Sequence, residues 1–270
     1  MSDELLLILP QFLFVLGLFF GSFLNVCILR IPAGEGITFK RSHCPHCKTT
    51  LTAIDLLPVI SYILLLGKCR YCKTKISARY MFVEILTAII FYIGAQNFKT
   101  DYWSLLIFLF FACVMIIVMF IDIDHFIIPD RFSIGLIISG LILSAVIPFY
   151  PLNISYFYDN LATAWQLRLL NSFLGVLTGG LIFFIIFISA YFYYSRKGID
   201  AFGFGDVKLA AGIGAFLGWK LTLFMIFAAF FIGGIIALPL VLFGRAGAKT
   251  QMPFAPAICI SAILAFLCGI

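Results

Sequence analysis

An all-α polytopic integral membrane protein, with about eight transmembrane helices and a small metal-stapled insert between the first two, is the fold class this 270-residue sequence predicts. Three observations carry it. Hydrophobic residues make up 63% of the chain and charged ones 11%, against roughly a quarter charged in a soluble domain. Apolar runs of about 20 residues recur along the length. The basic residues gather in one polar segment between the first two runs.

The chain opens MSDELLLILPQF, acidic and without a small-residue cleavage site, so the first run reads as an uncleaved span rather than a signal peptide. The expected spans are 5–29, 81–98, 103–121, 132–150, 170–195, 208–219, 221–243 and 252–269, of which the sixth is short. Arg30, Lys40, Arg41, Lys48, Lys68, Arg70, Lys73, Lys75 and Arg79 are half of the 18 basic residues. They place residues 30–80 in the cytoplasm by the positive-inside rule, and both termini outside. Arg131, Arg196, Lys197, Lys208, Arg245 and Lys249 fall on the same side, whereas only Lys99, Arg168 and Lys220 do not. The net charge of +6 is thereby an orientation signal, and no nucleic-acid partner is expected. The expected organisation is a first transmembrane helix (1–29), a cytoplasmic insert (30–80) and a transmembrane core (81–270).

Within the insert, LLPVISYILLLG (56–67) is too short to span, so it either covers a small core or lies on the membrane surface. About 50 residues cannot build a robust core and need a staple. CPHC (44–47) and CRYC (69–72), separated by 21 residues, supply one. Cys44, Cys47, Cys69 and Cys72 match tetrahedral four-thiolate zinc sites in spacing. Disulfides are disfavoured in a reducing cytoplasm, and two such motifs in one short insert favour metal over a redox pair. Four thiolates leave no open position, so the metal is structural. His43 and His46 are alternative ligands but are expected to be solvated. Cys27, Cys113, Cys259 and Cys268 lie in apolar runs at no ligand spacing, where cysteine is a small hydrophobe.

IDIDHFIIPD (121–130) carries Asp122, Asp124 and Asp130 at the end of an apolar run. On one helix Asp122 and Asp124 point about 200° apart, so one faces the interior and the other the interface. Asp130 follows Pro129 and suits a helix start, by capping or by dipole compensation. A second acid, Asp206, sits in AFGFGDVKLAAGIGAFLGW (201–219). There Gly203 and Gly205 permit a tight turn, and Lys208 is a supporting residue. Gly175, Gly179, Gly214 and Gly218 are expected at close helix crossings. A lone Gly-x-Gly-Asp is as well explained by a capping aspartate. Two separate acids at one membrane depth are costly unless they converge, and a converging pair splits its protonation states. One member then activates water while the other polarises a peptide carbonyl, which is aspartyl peptide hydrolysis.

GSFLNVCILRIP (21–32), the paired C-x2-C motifs, ISARYMFVE (76–84), IDIDHFIIPD, GFGDVKLAAGIGAFLG and PFAPAI (253–258) occur in the order that resembles the bacterial type IV prepilin peptidases. The family usually has Pro-Phe-Gly-Pro where this chain has Ala255. The resemblance implies an inner-membrane aspartyl protease that removes the basic leader of prepilins and secretion pseudopilins after a glycine, at the cytoplasmic face. Its catalytic pair carries over onto Asp122 and Asp206. The resemblance also implies N-methylation of the new terminus with S-adenosylmethionine. The residues for that step are not evident; Glu84 is a candidate, with a buried acid paired to Arg79 as the alternative. Competing functions are a cation or proton transporter lined by Asp122, Asp124 and Asp206, a zinc-sensing scaffold, and another type of Gly-x-Gly-Asp intramembrane protease. A transporter would place acids near the midplane, and the scaffold leaves the aspartates without a task.

Overall fold

A computed structural model describes residues 3–37, 41–149, 151–152, 161–195, 203–242 and 253–268. Lys40, Arg196, Lys197, Arg245, Lys249 and the outermost residues of several expected spans lie outside them. The helices are α1 (Asp3–Arg30), α2 (Ile60–Leu64), α3 (Arg79–Asn97), α4 (Tyr102–His125), α5 (Asp130–Val146), α6 (Leu161–Ser195), α7 (Phe204–Leu242) and α8 (Ala255–Cys268). Among the described residues the only β pairing is two isolated bridges, both in the insert.

Five helices (α1, α3, α4, α6 and α7) are long and apolar enough to cross a membrane. α5 and α8, with 17 and 14 residues, are shorter. The eight apolar segments read from the sequence fall on seven helices, because α7 takes both the sixth and the seventh. Within α7, Gly218 breaks the helical path with φ 70° and ψ 172°. That backbone favours glycine, and a Cβ there would stand 2.7 Å from the Asn171 amide group. Asn171 Oδ1 accepts the Trp219 N–H at 3.4 Å beside the break. Gly218 therefore does more than the close crossing expected of it.

The chain forms two compact units, Met1–Ile117 and Val118–Ile270. In the first, α1 lies against α3 at glycines. A Cβ on Gly21 would stand 2.6 Å from the Glu84 Cα, and one on Gly17 would stand 2.7 Å from the Ala88 Cα. Small residues let the backbones approach this closely, where dispersion replaces the absent hydrophobic drive in lipid. Asn25 Nδ2 adds a hydrogen bond to the Tyr80 carbonyl at 3.0 Å.

In the second unit the first half of α7 is the core strut, with Leu209, Ala210, Ile213, Ala215 and Phe216 all fully buried. α6 meets it where Gly175 faces the Gly214 carbonyl and Gly179 faces the Ala210 carbonyl, positions that any Cβ would fill. Ser172 Oγ ties the same crossing by donating to the Ala215 carbonyl at 2.7 Å. On the α5 side, a Cβ on Gly212 would stand 2.8 Å from the Leu136 Cβ and one on Gly140 would stand 2.6 Å from the Ala215 Cβ. These crossings bring the start of α7 to the end of α4.

Candidate active site and metal centre

Asp122 lies in the last turn of α4 and is buried, whereas Asp124, two residues on, is exposed. The expected division between an interior acid and an outward one is observed. The Ala255 N–H, at the first residue of α8, donates to Asp122 Oδ2 at 3.2 Å. A helix N-terminus presents unpaired N–H groups and a partial positive charge, so it stabilises a carboxylate there. Asp206, in the first turn of α7, is buried as well. Its N–H donates to the Gly203 carbonyl at 3.1 Å, which closes the tight turn that the glycines were expected to allow. The two carboxyls stand within Coulombic reach of each other.

Gly205 packs against the segment between the first acids, since a Cβ there would stand 3.1 Å from the Ile128 Cβ. Lys208 gives the approach a polar tie. Its Nζ donates to Asp130 Oδ1 at 2.6 Å and stands 5.3 Å from the centre of the Phe204 ring. The N-cap position of α5 belongs to Pro129, with no side-chain capping bond. Asp130 is therefore not a capping residue; it sits in the first turn, where its charge favours the helix dipole, and pairs with Lys208.

The insert brings Cys44, Cys47, Cys69 and Cys72 together, with all four sulfurs within 4.8 Å of one another. Cys44 Sγ and Cys72 Sγ are 3.8 Å apart, which is about the sulfur separation that a tetrahedron with bonds of about 2.3 Å requires. The thiol set fits a metal ion of that kind. His43 and His46 are exposed and lie outside the cluster.

Each cysteine pair sits on the same turn. The Cys44 N–H donates to the Thr49 carbonyl and the Lys48 N–H to the Cys44 carbonyl; Cys69, Thr74 and Lys73 repeat this. Lys48 and Lys73 take the left-handed conformation at φ 57° and 59°, and the bridges His43–Thr50 and Lys68–Lys75 close the two turns. The repeated C-x2-C-K-T string is the signal that a search for longer repeats passes over. Hydrogen bonds with the Thr74 side chain and backbone hold the Cys72 thiol down at about 6, toward the thiolate that binds metal.

Asp55 fastens the intervening chain to the second turn. It accepts bonds from Thr52 Oγ1 at 2.8 Å, Arg70 Nε at 2.6 Å and Tyr71 Oη at 3.1 Å. Burial pushes its carboxyl up, but these bonds outweigh burial and hold it at about 2.

Glu84, the methyl-transfer candidate, is buried between α1 and α3. It accepts the Val59 N–H at 2.8 Å and a bond from Ser22. These bonds tie it to the insert and to α1. Two participants escaped sequence reasoning, the Ala255 N–H and the Val59 N–H, while Cys259 is buried among apolar residues as expected. PFAPAI was visible as a motif, but a backbone donor has no residue signature.

Two family descriptions match the chain, the Bacterial Peptidase A24 N-terminal domain over residues 15–98 and the Type IV leader peptidase family over residues 109–238. The prepilin leader peptidase/N-methyltransferase of Myxococcus xanthus is 34% identical over 241 residues, which cover 89% of this chain and 66% of that one. The protein of the same name from Bacillus subtilis is 34% identical over 259 residues, covering 95% and 93%. That of Dichelobacter nodosus is 33% identical over 292 residues, covering 96% and 93%. No solved structure matches the chain.

Proposed function

The chain belongs to the type IV leader peptidase family, and from that premise we propose that it cleaves the leader from prepilins and pseudopilins and N-methylates the new terminus. The observation that carries the peptidase half is the buried pair Asp122 and Asp206, drawn from the ends of two helices into mutual electrostatic reach. One carboxylate takes a proton from a water molecule, whose oxygen adds to the scissile carbonyl carbon. The other carboxyl donates a hydrogen bond to the carbonyl oxygen. Collapse of the tetrahedral adduct breaks the C–N bond, and the amine leaves with the proton. Asp122 and Asp206 are the catalytic residues of this proposal. The Ala255 N–H orients Asp122, Gly203 and Gly205 shape the turn under Asp206, and Asp124 is a supporting residue.

Cleavage after a glycine at the cytoplasmic face of the inner membrane, a zinc ion held by Cys44, Cys47, Cys69 and Cys72, and S-adenosylmethionine as methyl donor complete the proposal. The zinc staples the insert (30–80) and has no place in the chemistry, because four thiolates close its coordination sphere. Methyl transfer is assigned to the part of the molecule that includes the insert, and peptide hydrolysis to residues 81–270. No S-adenosylmethionine ligand is assigned; Glu84 remains a candidate for methyl transfer through its tie to the insert.

The test is to incubate the purified full chain, in membranes, with a prepilin and isotopically labelled S-adenosylmethionine, and to weigh the products. The expected products are the free leader and a mature chain bearing one labelled methyl group on its terminal nitrogen. Intact substrate overturns the peptidase assignment, and an unlabelled mature chain overturns the transferase half alone.

A further inference from the structure

We propose that residues 56–66 of the insert form an interfacial anchor, seated between the headgroups and acyl chains of the leaflet from which α1 and α3 emerge. The occupant of this surface is the bilayer itself, so the proposal stands whether or not the chain is a peptidase.

Depth is the first argument. The Val59 N–H is held by Glu84 Oε2 at 2.8 Å, and Glu84 lies five residues into α3, a membrane-spanning helix. At a rise of 1.5 Å per residue, that is roughly 7.5 Å below the start of the helix. Ser22, which also bonds Glu84, is eight residues from the end of α1, about 12 Å along its axis. The segment around Val59 is thus fixed beside the start of α3 and the end of α1. Interfacial helices bury their apolar faces about 5–10 Å into the headgroup boundary, a range that includes the depth of Glu84 along α3.

Composition is the second argument. Leu56, Leu57, Ile60, Ile63, Leu64 and Leu66 are all exposed, Leu64 at 75% and Leu66 at 83%. Six exposed apolar residues within eleven positions of the chain mark an interaction surface. No acidic residue occurs between Asp55 and Glu84, while Lys68, Lys73 and Lys75 follow the patch and are exposed. Apolar residues beside lysines complement acyl chains beside anionic phosphates.

The backbone supplies the third. Val59 is a β-branched residue at φ 60° and Leu66 stands at φ 51°, so the segment enters and leaves through left-handed turns. Such conformations persist where the surroundings over-determine them, and the Glu84 bond does so at the entry.

The test uses the full chain in vesicles of phosphatidylethanolamine and phosphatidylglycerol, with Leu64→Trp, Ile63→Trp and Lys48→Trp made separately. The signal of the three native tryptophans is subtracted. Neither Leu64 nor Ile63 is buried, so both variants keep their packing. The expected result is blue-shifted emission at 63 and 64, quenched by lipids brominated on the acyl chain, and water-like, unquenched emission at 48. Water-like emission at 63 and 64 overturns the proposal. So does blue-shifted emission that brominated lipid leaves unquenched, which means that protein, not lipid, covers the patch. Equal quenching at 48 also overturns it, because the whole insert would then lie on the membrane.

Discussion

Asp122, Asp124 and Asp130 occupy nine residues and have three different surroundings. Asp122 is buried and accepts an N–H from the start of α8, Asp124 is exposed, and Asp130 pairs with Lys208. The Lys208–Asp130 pair joins the start of α5 to the start of α7, the helix that carries Asp206. Both side chains are partly exposed, at 27% and 60%, so the pair contributes only about 0.2–1 kcal/mol to stability. Its effect lies in position, since a displacement of about 1 Å at a reacting group costs about a hundredfold in rate. Lys208→Met is expected to lower kcat for leader cleavage by about tenfold or more, with KM and Tm nearly unchanged. Exchanging the charges, with Asp130→Lys and Lys208→Asp together, is expected to recover part of the loss. Steady-state kinetics with a thermal melt of each variant checks both, and a kcat unchanged in Lys208→Met contradicts the positioning role.

At the scale of elements, the insert is two matched turns around four sulfurs, tied by Asp55 to the chain between them. An insert of about 50 residues cannot hold this shape through apolar burial alone, whereas structural zinc contributes on the order of 10 kcal/mol. Cys44→Ser and Cys72→Ser are expected to reduce bound zinc from one per chain to almost none, and to open residues 30–80 to protease while the apolar helices stay protected. Elemental analysis and limited proteolysis measure both; a zinc-free wild-type chain with a protected insert contradicts the staple. This element was legible because C-x2-C is local, and local spacing alone presents both sulfurs of a turn. The break in α7 was half legible: a short sixth span beside a seventh was readable, but Gly218 looked like any other small residue at a helix crossing. Its role depends on Asn171, which lies 47 residues earlier.

For the whole molecule, the spans, the cysteine cluster and the pair of distant acids could be read because each leaves a periodic or compositional trace. Apolar runs are set by bilayer thickness, and a buried acid is rare enough in such a run to stand out. The contacts that assemble the site leave no such trace. Ala255 reaches Asp122 across 133 residues, Lys208 reaches Asp130 across 78, and Val59 reaches Glu84 across 25. Each depends on tertiary packing, and two of the three use a backbone N–H that any residue but proline offers. The cap expected of Asp130 is absent because the helix begins one residue earlier than the capping reading requires, with Pro129 at the N-cap and Asp130 in the first turn. In the proposed mechanism Asp122 and Asp206 act as one catalytic unit. The most direct measurement is the single-turnover rate of leader cleavage by Asp122→Asn, Asp206→Asn and Asp124→Asn in the same membranes. Loss of a positioned acid or base costs about a hundredfold to ten-thousandfold, so losses of that size are expected in the first two variants and a much smaller loss in the third, as befits a supporting residue. Cleavage at the wild-type rate by Asp122→Asn or by Asp206→Asn would contradict that mechanism.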